Sequence, residues 1–159
     1  QVFEVNATVK ETIDLVREIY EKENIAFVEV YSSASHKSLG NSSKLEQVLL
    51  NLFTNARDAM VGFQKKVIST KTYYYDKDIY IEVAYMGKGI KQKNLEKVFE
   101  PFYTTKKPGK GMGLGLGISY EIITKMKGTI DVSSMEGEGT KIKIKLPIYN
   151  YSLKGDLLL

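Results

Sequence analysis

Apolar residues along the chain fall into two periods, and the switches between those periods divide it into helices and strands. Val9, Ile13, Val16 and Ile19 or Tyr20 recur at steps of three and four, which predicts a first helix capped by Asn6 or Thr8 and running to about residue 22. Residues 25–31 then read as a strand, and the serine-rich stretch 32–43 as a connection. Leu45, Val48, Leu49, Leu52, Ala56, Ala59 and Met60 form one stripe of a second helix, which starts near Ser43 or Lys44 and reaches about residue 63. Two extended runs, 66–75 and 78–84, are joined in hairpin fashion at Asp76 and Lys77. A glycine turn, a short helix over 94–98 and an irregular segment to residue 112 precede a third long helix, which ends at Gly128 as its C′ residue. Strands over 129–134 and 141–146 flank a tight turn at 136–139. No internal repeat interrupts this order. It predicts an α/β (α+β) two-layer sandwich, with about five strands in a mixed, mostly antiparallel sheet and three helices on one face.

The second helix carries a further pattern. Asn51, Asn55 and Asp58, spaced by four and three, share one face over two turns, where an amide oxygen can meet a hard cation such as Mg²⁺. Alone, that face reads equally as a solvated polar stripe. The balance changes because Gly109, Gly111, Gly113, Gly115 and Gly117 alternate with other residues just before a helical pattern. Glycines without Cβ atoms let main-chain N–H groups converge on an anion, and a helix N-terminus adds partial positive charge. Leu114 and Leu116 within the run, followed by Ile118, Ile122, Ile123 and Met126 at helical spacing, distinguish it from a Gly/Ser linker. No Gly-Lys-Ser/Thr closes the run and no strand leads into it, so it is neither a Walker A loop nor a Rossmann turn.

Composition narrows the classes. With 159 residues, 43% of them hydrophobic, the chain fits one domain with one core. It has no cysteine and one histidine, which removes disulfides, thiolate metal sites and multi-histidine centres. The net charge of +4 is spread along the chain, so nucleic acid is not an expected partner. No run approaches the roughly 18 apolar residues of a spanning helix, so no direct membrane contact is expected.

Two more segments lie between the second helix and the glycine run: Tyr85-Met86-Gly87-Lys88-Gly89-Ile90, and Phe99-Glu100-Pro101-Phe102-Tyr103-Thr104-Thr105-Lys106. Taken in order with Leu45 to Met60 and Gly109 to Leu116, they resemble the N, G1, F and G2 boxes of the catalytic ATP-binding domain of sensor histidine kinases. The resemblance covers about residues 2–147, within a domain of 1–149 followed by a tail at 150–159. It implies a Bergerat (GHKL) fold in which ATP lies between the helical layer and the sheet, under a lid at about 103–112. By position, Asn55 is implied to ligate Mg²⁺ and Asn51 to sit near the phosphates, both as catalytic residues, with Asp58 on the same face. Gly87 and Gly89 would border the nucleotide, while Gly111, Gly113, Leu114, Gly115 and Leu116 hold the phosphate chain. Lys106 and Lys110 are implied as charge partners on the lid. Thr140, after Gly139, matches a Gly-Thr near the pocket floor, and an ordinary turn role fits it as well.

The same boxes separate branches of the superfamily. Gyrase-like, Hsp90-like and MutL-like ATPases carry a glutamate one turn before the magnesium asparagine, as general base for water. Asn51 stands there instead, so phosphoryl transfer to a protein is favoured over hydrolysis. The G1 segment departs from the family pattern. The family's aspartate accepts the adenine exocyclic N–H, and here its place is held by Tyr85, followed by Met86. A buried N–H left without its acceptor costs roughly 1–3 kcal/mol, so nucleotide affinity is expected to be at least tenfold weaker than in a Tyr85→Asp variant. A weakened or pseudo-kinase domain, an engineered substitution and a tyrosine stacked on the base are all compatible with that departure.

The implied reaction passes the γ-phosphoryl of ATP to a histidine on a separate dimerisation and phosphoacceptor domain, which then serves a response regulator. The chain's one histidine, His36, lies in the serine-rich stretch and reads as a surface-loop residue. The chain is therefore expected to be the cytoplasmic catalytic module of a longer kinase, with a parent protein anchored in the inner membrane as one arrangement. The alternative is a non-catalytic module that keeps the fold and docks on acceptor helices or another kinase.

Overall fold

A computed structural model of the chain describes residues 1–87, 89, 92–95, 97, 99 and 115–149. Five strands form the main sheet: β2 (Ile25–Val30), β4 (Lys66–Tyr75), β5 (Asp78–Met86), β6 (Thr129–Met135) and β7 (Gly139–Pro147), in the order β2-β4-β5-β7-β6. The β2–β4 pair is parallel and the other pairs are antiparallel, so the sheet is mixed as the alternation of patterns predicts. Three helices, α1 (Val5–Lys22), α2 (Ser42–Ala59) and α4 (Gly117–Lys125), form the second layer, with a one-turn α3 (Gln92–Leu95).

Burial follows the two periods. Along β5, Ile79, Ile81, Val83 and Tyr85 face the helices, and Ile142, Ile144 and Leu146 of β7 join them. Every residue of the expected apolar stripe on α2 is buried, together with Phe53. On the outer face, Lys71, Glu82, Lys143 and Asp131 stand side by side across four strands, so signs alternate along a solvated row.

Several boundaries differ from the sequence reading, each for a local reason. Strands β1 (Val2–Glu4) and β3 (Lys37–Leu39) pair with each other, so the serine-rich stretch is not wholly a connection. Helix α1 begins at Val5, and neither Asn6 nor Thr8 caps it. Thr8 donates to the Glu4 carbonyl, while Asn6 donates to the Ser32 carbonyl and accepts from Thr72. Ile19 is exposed and Tyr20 takes the core position. Helix α2 is capped by Asn41, whose side chain accepts from Ser43 N–H, and stops at Ala59 before Gly62 turns with φ +88°. Helix α3 starts two residues before the expected span of 94–98 and ends within it, at Leu95.

The third long helix starts only at Gly117, and its end has a different residue in the strained position. Lys127, with φ +66°, is the C′ residue. Lys127 N–H donates to Thr124 O and Gly128 N–H to Ile123 O, both at 2.9 Å, which is a Schellman motif with Gly128 at C″. Gly128 is required for closeness: a Cβ there would stand 2.2 Å from Lys145 O.

Candidate functional site

Helix α2 positions the site because its apolar stripe fixes its rotation on the sheet. That rotation turns Asn51 of the second face toward the start of α4. Asn55 is 2% exposed, and among the described residues neither Oδ1 nor Nδ2 of its side chain has a hydrogen-bond partner. A buried carboxamide unmatched at both atoms is costly, and such a group fits a ligand that supplies a cation at the oxygen or an acceptor at the nitrogen. Asn51 is engaged: its Nδ2 donates to Gly115 O at 3.3 Å and to Ser119 Oγ at 3.4 Å. It thereby ties α2 to the residues that open α4. Asp58 is half-buried and has an interaction of its own.

The end of β5 closes on the same helix. A Cβ on Gly87 would lie 2.6 Å from the carbonyl oxygen of Ala59, so only glycine lets strand and helix approach this closely. Gly89 follows with φ +70°, a left-handed conformation that a side chain would strain. Tyr85 is 5% exposed and belongs to the core cluster. Burial pushes its phenol up to about 12, against an opposing hydrogen bond with Thr140. Thr140, also buried, sits directly opposite Tyr85 in the β5–β7 register.

Leu116 is buried and Gly115 presents its carbonyl to Asn51, so the described end of the glycine run meets the amide face of α2. Phe99 packs on Tyr120 of α4, with ring centroids 5.4 Å apart. Lys106, Lys110, Gly111, Gly113 and Leu114 lie outside the described residues, as do Lys88, Ile90, the expected lid and the tail. The structure thus brings Asn51 to Gly115 and Ser119 at the start of α4, and Gly87 of the β5 end to Ala59 at the end of α2. Ser119 and Ser134 had no motif to single them out, and both contact site residues through their hydroxyls.

Among the described residues no three His, Cys, Asp or Glu side chains stand together as a metal cluster, so a cation here would depend on amide and ligand oxygens. A groove of about 610 Å³ among the described residues shares none of these residues. It lies where Leu39 and the chain end at Ile148 meet Ile118, Ile122 and Met126 of α4.

The sequence profile of the family described as Histidine kinase-, DNA gyrase B-, and HSP90-like ATPase matches residues 40–150. Sensor histidine kinase ZraS of Escherichia coli O157:H7 is 33% identical over 148 residues, 93% of this chain and 31% of that kinase. The catalytic domain of histidine kinase ThkA, in a nucleotide-free form, matches with a TM-score of 0.80 at 28% identity, covering 92% of this chain and 94% of that one. Histidine kinase ThkA in complex with the response regulator protein TrrA matches with a TM-score of 0.77 at 25% identity, over 94% of this chain and 42% of that chain. The chain spans less than a third of the length of the sensor kinases it matches in sequence. No helix among the described residues is long and apolar enough to cross a membrane.

Proposed function

The chain belongs to the family of histidine kinase-, DNA gyrase B- and HSP90-like ATPases, and we propose that within it the chain is the catalytic ATP-binding domain of a two-component sensor histidine kinase. In this reading the γ-phosphoryl of ATP passes to an imidazole nitrogen on a separate phosphoacceptor domain. The P–O bond to the β-phosphate breaks as the P–N bond forms, and ADP leaves with the electron pair. The acceptor domain and a response regulator are the partners, and the domain works in the cytoplasm.

The observation that carries the reading is the amide face of α2. Asn55 offers a buried, unpartnered carboxamide, and its Oδ1 is the atom suited to hold Mg²⁺. A cation held there would neutralise charge on the phosphate chain. Asn51 cannot serve as a base, since an amide takes no proton at neutral pH and its Nδ2 is spent on Gly115 and Ser119. Water therefore has no activating carboxylate at that position, whereas a neutral imidazole is a nucleophile without one. Gly115, held by Asn51, and the N-terminus of α4 orient the phosphate end. Gly87 and Gly89 shape the opposite wall. The non-catalytic docking alternative draws no support from the relatives, which are named as kinases.

Supplying a histidine-bearing acceptor domain with labelled ATP tests the reading. Transfer of label to an acid-labile, alkali-stable phosphohistidine is the expected result. Release of inorganic phosphate at a rate the acceptor does not alter, with no label on protein, would overturn it.

A further inference from the structure

Helix α4 leaves part of its apolar surface uncovered. Ile118 is 60% exposed, and Leu39 of β3, which lines the same groove, is 40% exposed. With Ile122 and Met126 they form the apolar floor of the groove of about 610 Å³. A continuous apolar groove of this kind marks a contact surface, whereas a single exposed isoleucine would not.

The chain itself delivers an occupant to this groove. Strand β7 ends at Pro147, and the next two residues are pinned: Ile148 N–H donates to Lys77 O at 2.9 Å, and Tyr149 N–H to Lys37 O at 2.7 Å. Both line the groove, so residue 150 begins at its rim. Residues 150–159 include Leu153 and the consecutive Leu157, Leu158 and Leu159, an apolar cluster that water disfavours. Leu157 follows Tyr149 by eight positions, an extended reach of about 26 Å, against roughly 12 Å along α4 from Ile118 to Met126. The reach is therefore ample. At the rim, Lys44, Lys125 and Lys127 outnumber Glu121, and Asp156 immediately precedes the three leucines, so the charges are complementary as well.

We propose that the segment after β7 docks on this groove in the same molecule, with Leu157, Leu158 and Leu159 covering Leu39, Ile118 and Ile122. Ser119, the next residue of α4, is tied to Asn51 at 3.4 Å, so the docked segment braces the helix from a second side. A second copy of the chain is the competing occupant of the same surface.

The full chain has no cysteine, so a nitroxide attached at Gly155→Cys is a single probe that leaves the leucines intact. Methyl signals of Ile118, Ile122 and Met126 should lose most of their intensity. Those of Val28 and Val30 should keep theirs, because β2 is the edge strand opposite β6, on which α4 packs. Replacing Leu157, Leu158 and Leu159 together by serine in the labelled chain should restore the α4 signals, and unchanged Val28 and Val30 signals show that the variant is folded.

Equal broadening with and without the leucines is the mark of a mere tether and overturns the inference, as does broadening in neither. Broadening that passes from a nitroxide-bearing chain to a separate, isotope-enriched chain without the nitroxide assigns the groove to a second copy and overturns it too.

Discussion

Replacing Asn55 by leucine should make the nucleotide-free protein more stable while removing its ligand site. The carboxamide is 2% exposed and has two polar atoms without partners among the described residues. Each buried unsatisfied group costs about 1–3 kcal/mol. Leucine keeps the branching at Cγ and removes both polar atoms, for a gross gain of about 2 kcal/mol even at the low end of that range. Its two methyl groups are larger than the amide nitrogen and oxygen, and overpacking offsets part of the gain. A net stabilisation of about 1 kcal/mol corresponds to a rise in Tm of roughly 2–4 °C for a chain of this size. Thermal unfolding without nucleotide, scanned beside urea unfolding at 25 °C, measures it. Mg-ATP should raise the midpoint of the unaltered chain, by linkage, and leave that of Asn55→Leu unmoved. If Asn55→Leu is less stable than the unaltered chain without nucleotide, the amide is satisfied in the free protein and the argument from its isolation fails.

Further expectations concern Tyr85, Gly87 and the end of α4. The buried Tyr85 phenol titrates at about 12 against an ordinary value of 10.0, so the stability tied to its neutral form is whole below pH 10 and is lost as pH rises through 12. Unfolding midpoints of the unaltered chain and Tyr85→Phe should therefore diverge between pH 10 and 12, with the phenylalanine variant the less sensitive to alkali. Tyr85→Asp should bind Mg-ADP at least tenfold more tightly, because an ionised acceptor makes the stronger hydrogen bond; unchanged calorimetric affinity would contradict this. Gly87→Ala forces a Cβ to within 2.6 Å of the Ala59 carbonyl and should cost about 1–3 kcal/mol in urea unfolding, with weaker nucleotide binding. Lys127→Gly should add up to about 1 kcal/mol by relieving a left-handed backbone, read by the same denaturation.

Much of the fold could be read from the sequence because its elements bury one face each. The stripe from Leu45 to Met60 gave α2 its orientation, and alternation from Asp78 onward gave β5 its inward positions. What the pattern missed was decided by tertiary partners. The three-residue strands β1 and β3 are too short to carry a period, and they exist because they pair with each other. Asn6 has the chemistry of a helix cap, yet Ser32 and Thr72 claim its side chain. Gly128 looked like the strained residue at the end of α4, but the close approach of β7 demands it at C″ and leaves Lys127 to take the positive φ. At the site, Asn51 and Asn55 were legible as a pair because helical spacing fixes a shared face. The partners of Asn51 were not, since Gly115 and Ser119 lie 64 and 68 positions away along the chain. The contact of Ser134 with Thr140 was hidden for a similar reason: it runs across a strand register, which no local window reports.

The order β2-β4-β5-β7-β6 has a consequence for biosynthesis. The last strand made, β7, is an interior one, inserted between β5 and β6, so the sheet remains open until residue 147 has left the ribosome. Until then β5 presents an unpaired edge of backbone donors and acceptors, the kind of surface on which nascent chains aggregate. Tyr85 and Thr140 also meet only at that final step, after α2 has already been synthesised. A chain cut short before β7 would hold Asn51, Asn55 and Gly87 beside a β5 edge still open to other chains, which makes translation through residue 147 the checkpoint between a nascent polypeptide and a closed sheet.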